Sequence, residues 1–334
     1  MTDMTTEQAF LAEVGSAYLA RAQPPNEAAL RRWRPAGLAW PLLREMQGRV
    51  VGFKKRSAQV DGQRFVWLEG GSRRGTPVVL LHGFGASKEN WVTLLPFLAK
   101  RHRLFIPDLP GWGESHFRFG NAYGIDQQVA RIAHWLEHHV PAGVHLVGSS
   151  MGGAIAGFVA ARHPQQVATL TLMNAAGVRG AQQSEFEAGL LQGHNALVAN
   201  SVADVFRLFT IVVERNRHLL AAMLGPIMAG VMLQRRDINE HMFHQLMTNP
   251  PQEDLPGMTT IEMPTLVLWG EQDRVLHVSC ADTYQQLIPH AQVKRLRGIG
   301  HLPMVEAPAL TARCLYRFWR AHAVSSSAAR TRAA

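Results

Sequence analysis

The sequence predicts an α/β protein, a mostly parallel central sheet flanked by helices and carrying a helical insertion late in the chain. Three observations predict it. Short apolar, β-rich runs alternate with amphipathic helical stretches, as a parallel sheet requires, since each crossover must return over a face of the sheet. One of these runs passes through a Gly-x-Ser-x-Gly turn directly into a small-residue helix, in HLVGSSMGGAIAGFVAARHP. From Val178 to about Gly257 there is no strand signal while helical patterning is dense, a stretch too long for an unstructured loop in a compact domain.

Taken in order, residues 1 to about 60 read as a helical extension. Arg31, Arg32 and Arg34 flank Trp33 there, and an apolar stretch with Trp40 follows. Such a segment either packs as an arm with a solvated basic face or docks on an anionic membrane, indole rings settling at the headgroup level. The core then runs over 61–177 and 258–322. Its strands are read at Arg64–Leu68, Val78–Leu81, Leu104–Pro107, His145–Gly148, Leu170–Met173, Leu266–Trp269 and Val293–Leu296, apolar throughout because both faces are to be covered. Ile125, Val129, Ile132, Leu136 and Val140 recur at helical spacing and form a crossover helix; Leu310, Cys314, Phe318 and Ala321 form another. The insertion over 178–257 contains SVADVFRLFTIVVER, HLLAAMLGPIMAGVMLQ and NEHMFHQLM. Phe206, Phe209, Met223, Met228 and Phe243 are its candidates for lining an apolar pocket, methionine being adaptable in shape, although most such residues pack an insertion against itself. The Ser, Ala and Arg of 323–334 read as a disordered tail.

The chemistry centres on Ser150. A serine at a tight strand-to-helix turn is thrust out of the sheet, and the flanking Gly148 and Gly152 leave room for the turn. The same turn puts the amide of Met151 at a helix N-terminus, where an oxyanion is favoured. A second donor is the amide of Phe84, in VVLLHGFGASKENW, where glycines let the backbone approach a substrate oxygen. The hydroxyl needs a base, and the base an orienting acid. Among 16 histidines, His301 stands out in a Gly-flanked loop after a strand, in RLRGIGHLP. Asp273 follows a buried strand in TLVLWGEQDRV, with Glu271 and Asp282 as rivals. His82 is read as a loop brace, Asp108 as a turn residue holding local backbone, and Ser149 as pointing into the packed turn.

The segments HGFG, DLPGWGES, GSSMGG, WGEQD and GIGH, in this order over roughly residues 60–322, resemble the α/β-hydrolase superfamily. Within it, HGFGxxKxxW and SMGGAIA are most similar to bacterial lipases and esterases of the monoacylglycerol-lipase-like kind. The resemblance implies a catalytic triad in the order Ser150, Asp273, His301, and a helical cap over 178–257. It implies a serine carboxylic-ester hydrolase that cleaves apolar acyl esters through an acyl-enzyme, without a cofactor. Dehalogenases and epoxide hydrolases of this fold carry aspartate where Ser150 stands. Two other readings keep the frame. One is a C–C hydrolase of ring-cleavage products, which needs a cationic clamp for a dienoate; Arg179, Arg207, Arg215 and Arg217 are the residues on offer. The other is a non-catalytic ligand-binding protein of hydrolase descent.

Composition narrows the classes further. An apolar fraction of 47% supports a packed core. Two cysteines are too few for a disulfide framework, and the N-terminus lacks a basic leader pattern, so a cytoplasmic protein is expected, peripheral at most at the inner membrane face. The formal charge of +9 suits an anionic membrane better than nucleic acid, since a hydrolase core accounts for most of the chain. No Cys/His spacing points to a metal, and no GxGxxG follows a strand to hold a dinucleotide.

Overall fold

The computed structural model describes residues 14–22, 26–34, 52–248 and 256–322. Eight strands form one sheet: β1 (Lys54–Val60), β2 (Gln63–Gly71), β3 (Pro77–Leu81), β4 (Arg103–Pro107), β5 (Val144–Ser149), β6 (Val167–Met173), β7 (Thr265–Gly270) and β8 (Gln292–Leu296). Their order across the sheet is β1-β2-β4-β3-β5-β6-β7-β8. β2 runs antiparallel to β1 and β4; every pair from β4 to β8 is parallel. Central strands such as VHLVGS and TLVLWG are buried at every position, which only helices on both faces can achieve.

Lys54–Val60 lies within the stretch read from sequence as a helical extension, yet it forms the edge strand β1. It pairs with β2 through Asp61 and Gly62, both at positive φ, the two-residue turn whose twist matches a hairpin. The Asp-Gly pair is the sequence signal that locates this hairpin. Its lysines and arginine leave the outer edge charged, which discourages further strand addition.

Helices of the N-terminal half are α1 (Glu27–Arg32), α2 (Leu95–Leu98), α3 (Ile125–His139) and α4 (Met151–Arg162). α3 buries Val129, Ile132 and Leu136 as its spacing predicts. α4 is buried from Met151 to Ala160, so its small apolar residues show no face at all. Between β6 and β7 come α5 (Glu185–Leu191), α6 (Val202–Val212), α7 (Arg217–Gln234), α8 (Arg236–Thr248) and α9 (Pro256–Thr259). α6 and α7 pack through Val205, Ala229 and Met232. The helical residues 14–19 join α5 and α8 through Val14, Tyr18, Phe186 and Phe243. Last come α10 (Cys280–Leu287), α11 (Pro303–Glu306) and α12 (Pro308–His322). Of the stripe read from the sequence, Phe318 is buried in α12, Leu310 and Cys314 are half-buried against the core and Ala321 is exposed, while Leu315 and Trp319 complete the buried face. In the arm, Leu30 is buried and Trp33 packs on the core, edge-on to His116. The apolar stretch with Trp40 and the tail over 323–334 lie outside the described residues.

The sheet and α4 meet closely at the β5–α4 turn. A methyl at Gly152 would collide with the backbone carbonyls of Leu81 and His82, and one at Gly148 with the backbone of Gly152. Gly230, in contrast, lies in α7 with nothing within 4 Å of a built Cβ. Gly152→Ala is therefore expected to destabilise the fold by at least about 2 kcal/mol. Gly230→Ala is expected to stabilise it by about 0.5–1 kcal/mol through helix propensity. Urea denaturation of the two variants checks the opposite signs.

Candidate active site

Ser150 sits at the tip of the β5–α4 turn with φ 55° and ψ −125°. A residue with a Cβ rarely adopts this region, and strain of this kind persists only where the surroundings over-determine it. Here they do. The Ser150 amide donates to Met173 O (3.1 Å), and Ser150 O accepts from Ala176 (2.9 Å) and Gly153 (2.8 Å). Gly83 approaches so closely that a methyl there would lie 2.9 Å from Ser150 Cβ and 3.4 Å from Oγ. Ser150 is partly exposed while Ser149 is buried in the sheet. Among the described residues, neither the Met151 amide nor the Phe84 amide donates a hydrogen bond. Two free N–H groups thus flank the serine, one at the N-terminus of α4 and one on the β3 loop.

Asp273 and His301 follow the C-terminal ends of β7 and β8. His301 Nδ1–H donates to Asp273 Oδ2 at 2.8 Å, with both side chains at most 5% exposed. The carboxylate is filled on every side. Oδ1 accepts from the amides of Val275 (2.8 Å) and Leu276 (3.0 Å), and Oδ2 also from Asn174 Nδ2 (2.6 Å). A buried carboxylate held this way stays in one orientation, and it orients the imidazole in turn. The rivals do not reach it: Glu271 is exposed, and Asp282 pairs with Arg295. Only β6 separates the Asp273 strand from β5, and Asn174, just past β6, ties β6 to Asp273. Asn174 has φ 43°, and its Oδ1 accepts from Gly270. Sequence patterning does not single out Asn174, since nothing about an asparagine after a strand announces a partner 99 positions away.

The helical insertion is tied to the loops of both Asp273 and His301. The His301 amide donates to Val212 O (3.1 Å) at the end of α6. The Glu306 carboxylate accepts from Gly300 beside His301, and from Glu214 and Arg215 (both 2.9 Å) beyond α6. Arg274, next to Asp273, donates to Thr210 O (2.7 Å) and to Glu214 Oε2 (2.7 Å). Of the insertion residues singled out by sequence, Phe243 stacks edge-on against Phe84 with ring centroids 5.5 Å apart. Phe206 lies against Gly225, and Phe209 and Met228 pack within the α6–α7 pair. Met223 is 60% exposed and points away from that pair. Of the five, only Phe243 meets a residue of the serine's surroundings.

The loops that carry Phe84 and Asp108 are braced from below. His82 Nε2 accepts from the Leu109 amide (2.9 Å), so Nδ1 carries the proton and donates to Gly83 O (2.8 Å). Burial pushes its pKa down, which keeps it neutral in this role. Asp108 accepts from the amides of Lys88 and Glu114 (both 2.8 Å), the expected turn behaviour. It also forms a buried ion pair with Lys88 Nζ at 2.7 Å. Glu114 (2.9 Å) and Glu89 (3.1 Å) complete three carboxylates around one ammonium. Burial alone would lower the lysine's pKa, but Asp108, Glu89 and Glu114 raise it above its usual value. Lys88→Ala would leave three acids facing one another. It is expected to destabilise the protein by about 3–5 kcal/mol, read as a lower urea midpoint.

With this geometry in hand, comparison with known proteins is direct. Residues 76–308 match the family model described as the alpha/beta hydrolase fold. The chain is 31% identical to Lipase 1 of Psychrobacter immobilis over 74% of its own length and 78% of that protein's. It is 29% identical to human monoacylglycerol lipase ABHD6 over 81% of its length and 83% of that protein's. Among solved structures, a bacterial membrane phospholipase A superposes with a TM-score of 0.79 at 34% identity, covering 84% of this chain and 90% of that one. The sheet order, the strained serine turn and these likenesses agree: the chain belongs to the α/β-hydrolase fold family.

Proposed function

We propose that the protein is a serine carboxylic-ester hydrolase, a lipase or esterase acting on apolar acyl esters such as monoacylglycerols. The observation that carries this reading is the buried, fully hydrogen-bonded Asp273–His301 pair one strand away from the strained Ser150. Ser150 Oγ attacks the acyl carbonyl while His301 Nε2 takes its proton. Asp273 holds the Nδ1–H tautomer and stabilises the imidazolium that forms. The amides of Phe84 and Met151 take the oxyanion. His301 then protonates the leaving alkoxide and, in the second half-reaction, removes a proton from the water that frees the acyl group. Residues 178–257 serve as the cap, and Phe243 on Phe84 brings it to the acyl side of the site. The lipase names of the relatives support an ester substrate. Two of the four arginines offered for a dienoate clamp are engaged with carboxylates of their own helices or loops. Arg207 is exposed and pairs with Asp204, and Arg217 lies near Glu214.

The cap also supports contact with a lipid surface. Among the described residues no helix is long and apolar enough to cross a membrane. α7, however, exposes Leu219 (58%), Met223 (60%) and Ile227 (48%). At spacing i, i+4, i+8 they form one stripe, and exposed apolar patches of this kind mark interaction surfaces. The exposed Arg215 and His218 lie at its head, where anionic headgroups would meet them.

Three measurements check this reading. A fluorophosphonate probe is expected to label Ser150 and to leave Ser150→Ala unlabelled; labelling of the variant at the parent rate overturns the nucleophile. Asp273→Asn is expected to lower kcat by roughly 10⁴-fold with the fold intact, while Glu271→Gln stays within a few-fold. Leu219→Ser with Ile227→Ser is expected to weaken binding to vesicles containing anionic lipid and turnover of vesicle-borne ester. The same pair leaves turnover of nitrophenyl butyrate in solution unchanged.

A further inference from the structure

The C-terminal helix α12 carries Arg313, Arg317 and Arg320 at spacing i, i+4, i+7, which puts three guanidinium groups along one side. Its other side is fixed in the core by Leu315, Phe318 and Trp319. The arginine side borders a groove of about 870 Å³ that is closed on its other bank by Lys294 of β8 and by Arg101. No aspartate or glutamate lines this groove. Among the described residues, none of its five cations pairs with a carboxylate, although their neighbours do. Arg295, one residue along β8, pairs with Asp282; Arg103, two residues beyond Arg101, pairs with Glu69. These five cations therefore share one groove with no carboxylate beside them, although Arg101 also lies over the Tyr316 ring, 5.5 Å from its centroid. Like charges gathered in one groove repel one another, and an anion entering the groove relieves that repulsion.

The groove is remote from the ester site. Gln292 opens β8, Leu266 is the second residue of β7 and Arg101 lies just before β4, with Lys294 midway along β8, whereas Ser150, Asp273 and His301 follow the ends of their strands. A five-residue strand rises about 17 Å, so the strand-start lining of the groove lies at the opposite end of the sheet from Ser150, Asp273 and His301. Substrate entering over Phe84 does not pass through it. Length sets the ligand class. Arg313 and Arg320 are seven residues apart, about 10 Å along the helix axis, so one phosphate reaches only part of the array. The volume is that of a small-molecule site.

We propose that this groove binds a phosphoryl-rich anion, several linked or neighbouring phosphate groups spanning Arg313, Arg317, Arg320, Lys294 and Arg101. The source is either a soluble polyphosphate compound or the headgroups of an acidic lipid, and the chemistry recognised is the same. Guanidinium forks suit phosphate oxygens bidentately, and spacing along one helix selects a chain of them over a single ion. This site is independent of the hydrolase reading above.

Cys314 supplies a built-in reporter. It lines the groove and is partly exposed, while Cys280 is fully buried. Alkylation by neutral iodoacetamide, followed by mass spectrometry, reads occupancy of the groove directly. Tripolyphosphate is expected to slow Cys314 alkylation at least tenfold at moderate salt. Orthophosphate, or chloride at matched ionic strength, is expected to have little effect. Arg313→Gln with Arg317→Gln is expected to abolish the protection and to weaken tripolyphosphate binding in calorimetry at least tenfold. Arg297→Gln, an exposed cation outside the groove, leaves both unchanged, and nitrophenyl butyrate turnover stays as in the parent. A second arm replaces tripolyphosphate with phosphatidylglycerol vesicles; protection there alone assigns the anion to lipid headgroups. The proposal is overturned if neither probe protects Cys314, if chloride protects equally, or if the double variant binds as the parent does.

Discussion

The structure depends on how closely α4 is allowed to approach the sheet. Ser150 holds a left-handed backbone between β5 and α4, and Gly148, Gly152 and Gly83 supply the absent side chains that make this approach physically possible. A close helix brings its N-terminal amides to the end of the sheet, level with the β3 loop. The Phe84 and Met151 amides end up beside one serine for that reason. The strain at Ser150 is sustained by hydrogen bonds to Met173, Ala176 and Gly153, so β6 fixes the turn as firmly as β5 does. Loosening this contact would misplace the hydroxyl and these two amides together.

Around that turn, buried polar groups do the positioning. Asp273 is surrounded by two amides, an asparagine and the imidazole, which leaves its carboxylate no alternative orientation. His82 and the Lys88–Asp108 pair perform the same task for the β3 and β4 loops. The ionic brace is the more demanding of the two. A buried lysine amid three acids is held by mutual attraction, and removing one member exposes the others to uncompensated burial. Such networks contribute specificity of geometry more than net stability.

Cap and core are not independent layers. Glu306 joins the His301 loop to the residues after α6, and Arg274 joins the Asp273 loop to the end of the same helix. Both clamps are charged side chains that reach backbone groups, so they hold the helical insertion in register with the Asp273 and His301 loops while the apolar α7 stripe faces outward. A displacement of α6 is thereby coupled to the imidazole and its acid. The molecule carries two distinct surfaces, an apolar stripe on α7 and a cationic groove along α12.

By itself the sequence determined what local chemistry controls. Alternating apolar runs specify strands that must be covered on both faces. The glycines around Ser150 specify a turn only they can make, and the long strand-free stretch specifies a helical insertion. Even the unexpected β1 had its local sign in Asp61 and Gly62. Only the tertiary structure decided which carboxylate meets His301, because Glu271 and Asp273 are near neighbours in the chain and differ only in what folds around them. Asn174, Glu306 and Arg274 were likewise beyond sequence reasoning, since their partners lie on other elements and no periodicity encodes them. The cap residues divide for the same reason. A phenylalanine or methionine in an apolar helix carries no mark of whether it will face the site, as Phe243 does, its own helix pair, as Phe209 does, or water, as Met223 does. Burial is a property of the packed assembly, and side-chain identity sets only the free energy at stake.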